Sequence, residues 1–154
     1  MSKTIFAIDP GNTFSAYVVF TPEKILFKGR ISNPEMIVVV RTLKGELIDP
    51  RLSIEMISSY GMAVGKEVFE TCVWIGRFME AFGSENVDLV YRQKIKLHHC
   101  NSVRAKDGNV RQALIDKYGA PGTKKNQGFT YGVSADIWSA MALAAYIYET
   151  DTSA

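Results

Sequence analysis

Short apolar runs separated by turn residues dominate the first third of the chain. The runs TIFAI, FSAYVVF and ILFKGRI have strand length, and the turns DPGN and TPEK separate them. Two similar runs, LSIEMI and VDLVY, follow later. The pattern therefore predicts five strands, over residues 3–8, 14–20, 25–31, 52–57 and 87–91. Short connections between the first three indicate antiparallel hairpins.

Apolar residues at three- and four-residue intervals predict helices elsewhere. The clearest helix covers residues 66–82 and ends at Gly83. Asn33 as the N-cap and Pro34 as the first helical residue favour a helix over 35–44, although the β-branched run IVVV also permits a strand. Further helices are predicted over 103–118 and 134–148, and a flexible basic loop over 123–131.

The order β-β-β-α-β-α-β-α-α predicts an α/β fold. Three antiparallel strands followed by two parallel strands form a five-stranded mixed sheet, and helices cover both of its faces. A length of 154 residues fits one domain spanning residues 1–154.

Composition narrows the class further. Apolar residues make up 47% of the chain and charged residues 22%, which is typical of a globular protein and not of a disordered one. No apolar run reaches the roughly 20 residues of a membrane span, and the N-terminus lacks a signal-peptide cleavage site. Cys72 and Cys100 show no metal-ligand spacing, and we expect both to be reduced thiols. These features predict a cytoplasmic protein without a membrane partner.

The net charge of +2 does not by itself indicate a nucleic-acid partner, but the basic residues cluster between positions 92 and 125. Only Asp107 and Asp116 oppose them there. A segment of this kind suits a phosphate backbone, since contacts from several lysines and arginines release counterions. The alternative is a solvated helix face and loop.

Three acidic residues occupy positions where surface charge is uncommon. Asp9 ends the first strand, Glu55 lies inside an apolar strand, and Asp136 precedes a helix rich in small residues. If the first and fourth strands are neighbours, Asp9 and Glu55 face one cavity, and a helix packed on the sheet brings Asp136 over them. A divalent cation relieves the repulsion in such a cluster, and two ions about 3.5–4 Å apart support phosphodiester cleavage.

Each carboxylate also has a simpler interpretation. Asp9 is a common turn residue, Glu55 fits an exposed sheet face, and Asp136 fits the N-terminal charge preference of a helix. The three together favour a metal site more strongly than any one of them does.

Four segments resemble RuvC-type Holliday junction resolvases, most of all their compact, phage-borne branch. FAIDPGNTFSAYVVF resembles the first two strands, with Asp9 in the place of the first catalytic aspartate. SIEMI resembles the strand that carries the catalytic glutamate, which maps to Glu55. RQKIKLHHCNSVRAKDGNVRQALI is similar to the basic strand-to-helix region and places Lys106 at a helix start near DNA. SADIWSAMALA resembles the last helix, with Asp136 as the first of two aspartates.

The resemblance implies a ribonuclease H-like nuclease that acts as a homodimer on four-way DNA junctions with Mg²⁺ or Mn²⁺, in a bacterial cell and encoded by a phage. It implies Asp9, Glu55 and Asp136 as metal ligands. Lys106 is a candidate for a further catalytic residue that contacts the scissile phosphate or stabilises developing charge, and the alternative is a solvated lysine. The second aspartate of the last helix is Ser139 here, which leaves the number of metal ions open. Asp107 is a candidate replacement, although a helix-surface charge is the simpler interpretation.

Further residues are predicted to bind DNA or are set aside. Tyr60, in the loop after the fourth strand, is a candidate for stacking on bases or inserting at the junction, as is Met62; the alternative is packing on their own helix. His98 and His99 are expected to point apart within a strand, so that a shared metal is not predicted. The residues predicted to contact DNA are Tyr60, Arg92, Lys94, Lys96, Arg104, Lys106, Arg111, Lys124 and Lys125.

Three alternatives to a junction nuclease remain. An actin-like ATPase also begins with an acidic strand turn, but it needs two such domains. A branched-DNA-binding protein with weak or no cleavage would follow from an incomplete metal site at Ser139. A nuclease for flaps, forks or RNA-containing hybrids would share the same fold.

Overall fold

A computed structural model of the chain describes residues 3–151. Its five strands form one mixed sheet in the order β3-β2-β1-β4-β5. The strands are β1 Ile5–Asp9, β2 Phe14–Phe20, β3 Ile25–Ser32, β4 Leu52–Met56 and β5 Val87–Tyr91. The first three pair antiparallel through short turns, whereas β1 pairs parallel with β4, and β4 with β5. Both parallel strands are reached through helical segments, as parallel pairing requires. The predicted α/β mixed sheet is confirmed.

Within residues 3–151, five helices accompany the sheet. They are α1 Asn33–Glu46, α2 Lys66–Phe82, α3 Arg92–Cys100, α4 Asp107–Tyr118 and α5 Ile137–Thr150. A single 3-10 turn at Ser84–Asn86 leads into β5. The predicted bounds of α2 agree with the structure, and those of the other predicted helices shift by a few residues.

Alternation along the strands divides the core into two layers. Phe6 and Ile8 of β1 face one side, where α1 and α2 pack. Ile5 and Ala7 face the other side, which α3, α4 and α5 cover. The small residues of α5 allow it to lie close against β1 and β2. Asp9 follows the period of Ile5 and Ala7, so its side chain is directed towards the α5 layer.

The start of α1 corrects one expectation. Ser32, not Asn33, is the N-cap: its hydroxyl accepts from the Glu35 amide and donates to the Glu35 carboxylate, and Pro34 lies at the second helical position. Asn33 is instead fully buried, and its side chain makes hydrogen bonds to the segment that follows β1. Because Ser32 caps the helix, the side chain of Asn33 is available for these tertiary hydrogen bonds.

The segment after β5 corrects a second expectation. Residues 92–100 form the helix α3 rather than a strand, and Asn101 ends it in the left-handed conformation with φ of 57°. Consequently α4 begins at Asp107 rather than at Val103, and residues 101–106 form the connection. The last helix begins at Ile137 rather than Ser134, which makes Asp136 its N-cap.

The basic segment 123–131, expected as a flexible loop, is held by internal hydrogen bonds. Thr123 and Asn126 exchange backbone hydrogen bonds of 3.1 Å, and the Gly128 amide donates to the Pro121 carbonyl. A Cβ at Gly128 would overlap the carbonyl group of Ala120, so the tight turn needs glycine there. The segment is therefore a compact hydrogen-bonded hairpin.

Two further expectations concern the thiols and the membrane. Cys72 and Cys100 are unpaired thiols, as predicted. Within residues 3–151, none of the helices combines the length and the apolar character that a bilayer crossing needs.

Candidate active site

The turn after β1 positions Asp9. Asp9 is half-buried at the end of β1, and a Cβ at Gly11 would overlap the Phe14 carbonyl oxygen. The Gly11 amide donates to the Ser15 hydroxyl, which donates to the Asn33 Oδ1 at 2.6 Å. The Asn33 amide group in turn donates to the Gly11 carbonyl at 2.8 Å. This closed set of hydrogen bonds fixes the turn that follows Asp9.

Glu55 lies beside Asp9 on the neighbouring parallel strand. The β1–β4 register pairs Ile8 with Ile54, so that Asp9 and Glu55 come next in the two strands. The two carboxyl groups are close enough that the charge of Glu55 raises the pKa of Asp9, and the Glu55 side chain is only 13% exposed. The sequence-based expectation that β1 and β4 are neighbours is thus confirmed.

Asp136 reaches the same region from α5. It precedes the first residue of α5, whose small residues pack on β1 and β2, and Ala135 before it has a positive φ of 45°. The Asp136 carboxylate accepts from the Arg30 Nε at 3.3 Å and is 58% exposed. The structure therefore brings Asp136 close enough to raise the pKa of Asp9, but at the open side of the site.

Burial and repulsion perturb the buried carboxyl pair. Burial of Asp9 raises the pKa of this group well above its ordinary value, and the charges of Glu55 and Asp136 raise it further. Burial also raises the pKa of Glu55, against the opposing effect of Arg92. Both groups therefore resist ionisation, and a cation among them would relieve that cost.

An arginine links Glu55 to a fourth carboxylate. Arg92, the first residue of α3, lies with Nη1 3.6 Å from Glu55 Oε1, and its Nη2 pairs with Asp107 Oδ1. Asp107 is 76% exposed on the surface of α4, as the simpler interpretation expected, and it also lines the site. Arg30 and Arg92 together give Asp136, Glu55 and Asp107 cationic partners.

An open cleft of about 200 Å³ lies next to Asp9, and Glu55, Arg92, Asp107 and Asp136 line it. Carboxylates from β4, α4 and the start of α5 line it, together with Ser139. The cationic residues of its lining are Arg92, Lys96 and Arg111, and the Arg111 guanidinium lies 5.4 Å from the centre of the Trp138 ring. Clustered carboxylate oxygens with room for water are the donor set that Mg²⁺ and Mn²⁺ prefer, so these residues fit such ions.

The basic residues that were predicted to bind DNA lie in different parts of the structure. Lys94, Arg104 and Lys106 are exposed on or near α3 and α4 and lie outside the cleft lining, whereas Lys96 lies within it. Lys124 and Lys125 lie on the hairpin, which packs through Phe129 on Phe20. Phe20 pairs with Ile5, so this hairpin lies towards the end of β1 opposite Asp9.

The loop after β4 also carries predicted contacts. Tyr60 and Met62 are exposed by 48% and 69%, and Tyr60 has a positive φ of 51°. Neither side chain packs on α2 strongly enough to be buried, so both are accessible to a ligand.

Sequence reasoning missed Arg30. The register pairs Asp9 with Ala16 and Ala16 with Arg30, which puts the arginine in the same row and on the same face as Asp9. Its guanidinium also lies 4.8 Å from the centre of the exposed Phe14 ring. Counting residues through the two predicted hairpins would have found this position.

A second group of polar side chains lies towards the far end of α5. The ligand atoms of His98, His99 and Glu149 lie within 4.8 Å of one another, because both histidines are on a helix and not on a strand. The strand on which the expectation about these histidines rested is therefore corrected to a helix, and the three ligand atoms are close enough to hold an ion. The Lys117 ammonium already bridges His99 Nδ1 at 3.0 Å and Glu149 Oε1 at 2.8 Å.

The sheet order and covering helices define a ribonuclease H-like α/β fold. Among solved structures, RuvC from T. thermophilus in complex with Holliday junction substrate superposes with a TM-score of 0.69 over 94% of this chain and 92% of that one, at 13% identity. A further Thermus thermophilus RuvC structure gives a TM-score of 0.64 over 96% of each chain, also at 13% identity. No family model and no curated protein sequence matches this chain. The fold is therefore that of RuvC, as the sequence resemblance predicted.

Proposed function

We propose that this protein is a metal-dependent endonuclease that nicks branched DNA, with the four-way junction as its substrate. The observation that carries the proposal is the meeting of Asp9, Glu55 and Asp136 beside a cleft that also carries Arg92, Lys96 and Arg111, on a RuvC-like fold. The solved relative that is bound to a junction supports the choice of substrate.

In this proposal Asp9, Glu55 and Asp136 hold Mg²⁺ or Mn²⁺. Such ions supply an activated water and stabilise the leaving oxygen of the phosphodiester. Lys96 and Arg111 line the cleft, where their charges bind the DNA backbone and orient the scissile phosphate. Lys106 and the exposed basic residues of α3 extend the phosphate contact beyond the cleft, and Tyr60 stacks on a base at the branch point.

A homodimer would deliver two symmetric nicks. The helix α2 exposes Phe69 and Val73 by 62% each, which makes it the candidate dimer surface. Sedimentation of the protein, free and with a junction, tests it: a monomer in both conditions would exclude symmetric paired nicking. We further propose that the protein acts in the cytoplasm of a bacterial cell.

Cleavage of a labelled four-way junction is the test of activity. The protein is incubated with Mg²⁺ or Mn²⁺ and with the junction, a fork or a linear duplex. Asp9→Asn should abolish nicking, whereas Asp116→Asn should not, because Asp116 is exposed and bonded to Gln112 on its own helix. Undiminished nicking by Asp9→Asn would reject the assigned mechanism, and preferential cutting of the fork would reject the junction as substrate.

A second candidate is a branched-DNA-binding protein without efficient cleavage. It is favoured by Ser139 in the cleft and by the arginines that already neutralise Glu55, Asp107 and Asp136. Tight junction binding without nicking in either metal would support this function and exclude the nuclease.

A further inference from the structure

The RuvC-type family that the sequence resembles carries an aspartate at the position of Ser139. The cleft of this protein therefore has one carboxylate fewer. The Ser139 hydroxyl lines the cleft one helical turn after Asp136, but it brings no negative charge. Binding of two divalent ions depends on anionic oxygens that offset their charge and bridge them. A second ion would therefore need a carboxylate from another element.

Asp107 is such a carboxylate. It is the first residue of α4 and lines the same cleft as Glu55, Asp136 and Ser139. Its side chain is 76% exposed, so it can turn towards the cleft at little cost in packing. The guanidinium group of Arg92 lies between Asp107 and Glu55. Bound ions and water can also fill a space of this size.

Arg92 is the group that occupies this space. Its guanidinium pairs with Glu55 and with Asp107 at once, and it is only 33% exposed. An arginine keeps its charge at any accessible pH, so it can leave the two carboxylates only by moving and not by losing a proton. A divalent cation that binds Glu55 and Asp107 must therefore displace Arg92.

We propose that Asp107 is the fourth carboxylate ligand of the site, in place of Ser139, and that Arg92 is an internal cation which competes with the second metal ion. This inference rests on the proposed function, since it assigns ligands within the same metal site. The displaced guanidinium lies beside the cleft, where it can pair with a DNA phosphate.

The contrasting interpretation is an ion pair that only ties the start of α4 to α3. The two interpretations differ in metal binding, which can be measured without DNA and without cleavage. Mn²⁺ binding is followed by calorimetry and by the electron paramagnetic resonance signal of the free ion. The variants are Asp107→Asn, Arg92→Gln and Asp107→Asn with Ser139→Asp, and Asp116→Asn on the same helix is the matched control.

Under the proposal, Asp107→Asn loses one Mn²⁺ or binds it about tenfold or more weakly, whereas Asp116→Asn matches the wild type. Arg92→Gln binds Mn²⁺ more tightly, because the competing cation is gone. Adding Ser139→Asp to Asp107→Asn restores the lost ion. Wild-type Mn²⁺ binding by Asp107→Asn would overturn the inference, and so would weaker binding by Arg92→Gln.

Failure of this inference is distinguishable from failure of the proposed function. If Asp107→Asn binds Mn²⁺ and nicks junctions like the wild type while Asp9→Asn does neither, Asp107 is not a ligand but the nuclease stands. If Asp9→Asn nicks like the wild type, the nuclease mechanism itself is rejected.

Discussion

Asp9 and Glu55 lie side by side on adjacent parallel strands, one residue beyond the paired Ile8 and Ile54. Burial raises the pKa of both carboxyl groups, and the charge of Glu55 raises the pKa of Asp9 further. A divalent cation between the two carboxylates would offset the cost of ionising them in this position.

Metal binding should therefore release protons. A cation binds the ionised carboxylate and competes with the proton whose binding the raised pKa of Asp9 favours, so affinity should rise with pH. We expect Mg²⁺ or Mn²⁺ to bind about tenfold or more tightly at a pH above the raised pKa of Asp9 than at a pH below it. Calorimetry in two buffers of different ionisation enthalpy would count the protons. Equal affinity at both pH values would contradict the assignment.

Asp9→Asn should stabilise the metal-free protein. Folding raises the pKa of Asp9, so the stability that this group contributes is present below its ordinary pKa and is lost as the pH rises through the raised value. Asparagine does not ionise and therefore avoids this loss of stability, and its amide group can donate a hydrogen bond to the Glu55 carboxylate. We expect a gain of about 1–2 kcal/mol in the free energy of unfolding at about pH 8. Urea denaturation with EDTA measures it, with Asp116→Asn as control; a less stable variant would refute the prediction.

The pairing of Asp9 with Glu55 could be predicted because the apolar patterns of the two strands indicate where each residue lies. Apolar runs defined β1 and β4, and a polar residue that interrupts such a run suggests a cavity. The Arg92–Asp107 pair could not be predicted, because it depends on where α3 ends and α4 begins. That boundary lies at Asn101, whose left-handed conformation has only a weak sequence signal.

Gly11→Ala should disturb the site through the backbone. A Cβ at this position would overlap the Phe14 carbonyl oxygen, so the turn must shift and move Asp9 with it. We expect a loss of about 2 kcal/mol or more in the free energy of unfolding and weaker Mn²⁺ binding. Gly45→Ala is the matched control, because nothing lies within 4 Å of a Cβ there, in α1. Wild-type Mn²⁺ affinity in Gly11→Ala would show that the turn does not position Asp9.

Neighbouring residues at the start of α1 should have separable roles. Asn33→Ala leaves the Ser15 hydroxyl and the Gly11 carbonyl without their buried partner, which should cost about 1–3 kcal/mol and weaken Mn²⁺ binding. Ser32→Ala removes only the helix cap, at about 1 kcal/mol, and should leave the affinity unchanged. Denaturation and calorimetry on both variants test the contrast. Equal effects on Mn²⁺ affinity would place the turn network outside the metal site.

The helix α3 was missed for a physical reason. Its buried positions are only Ile95 and His99, four residues apart, and the other side chains are largely polar. Such a short helix has too few apolar residues for its period to be distinguished from that of a strand. His99 is buried because its Nε2 bonds the Ala142 carbonyl at 2.8 Å, a tertiary contact that no local pattern reveals.

Glu149 should make stability depend on acid pH. Burial favours its neutral form, but hydrogen bonds from Lys117, Tyr118 and His98 outweigh this effect and lower the pKa of Glu149 to about 2. The group therefore stabilises the fold above its ordinary pKa of 4.5, and this contribution is lost as the pH falls through about 2.

Glu149→Gln should lower the free energy of unfolding by about 1–3 kcal/mol at neutral pH, and its difference from the wild type should shrink as the pH falls below about 4.5. The exposed Glu80 on α2 provides the matched control Glu80→Gln. Urea denaturation across the acid range measures both variants. A deficit of Glu149→Gln that stays constant down to about pH 2 would mean that lost packing, and not the carboxylate charge, destabilises the protein.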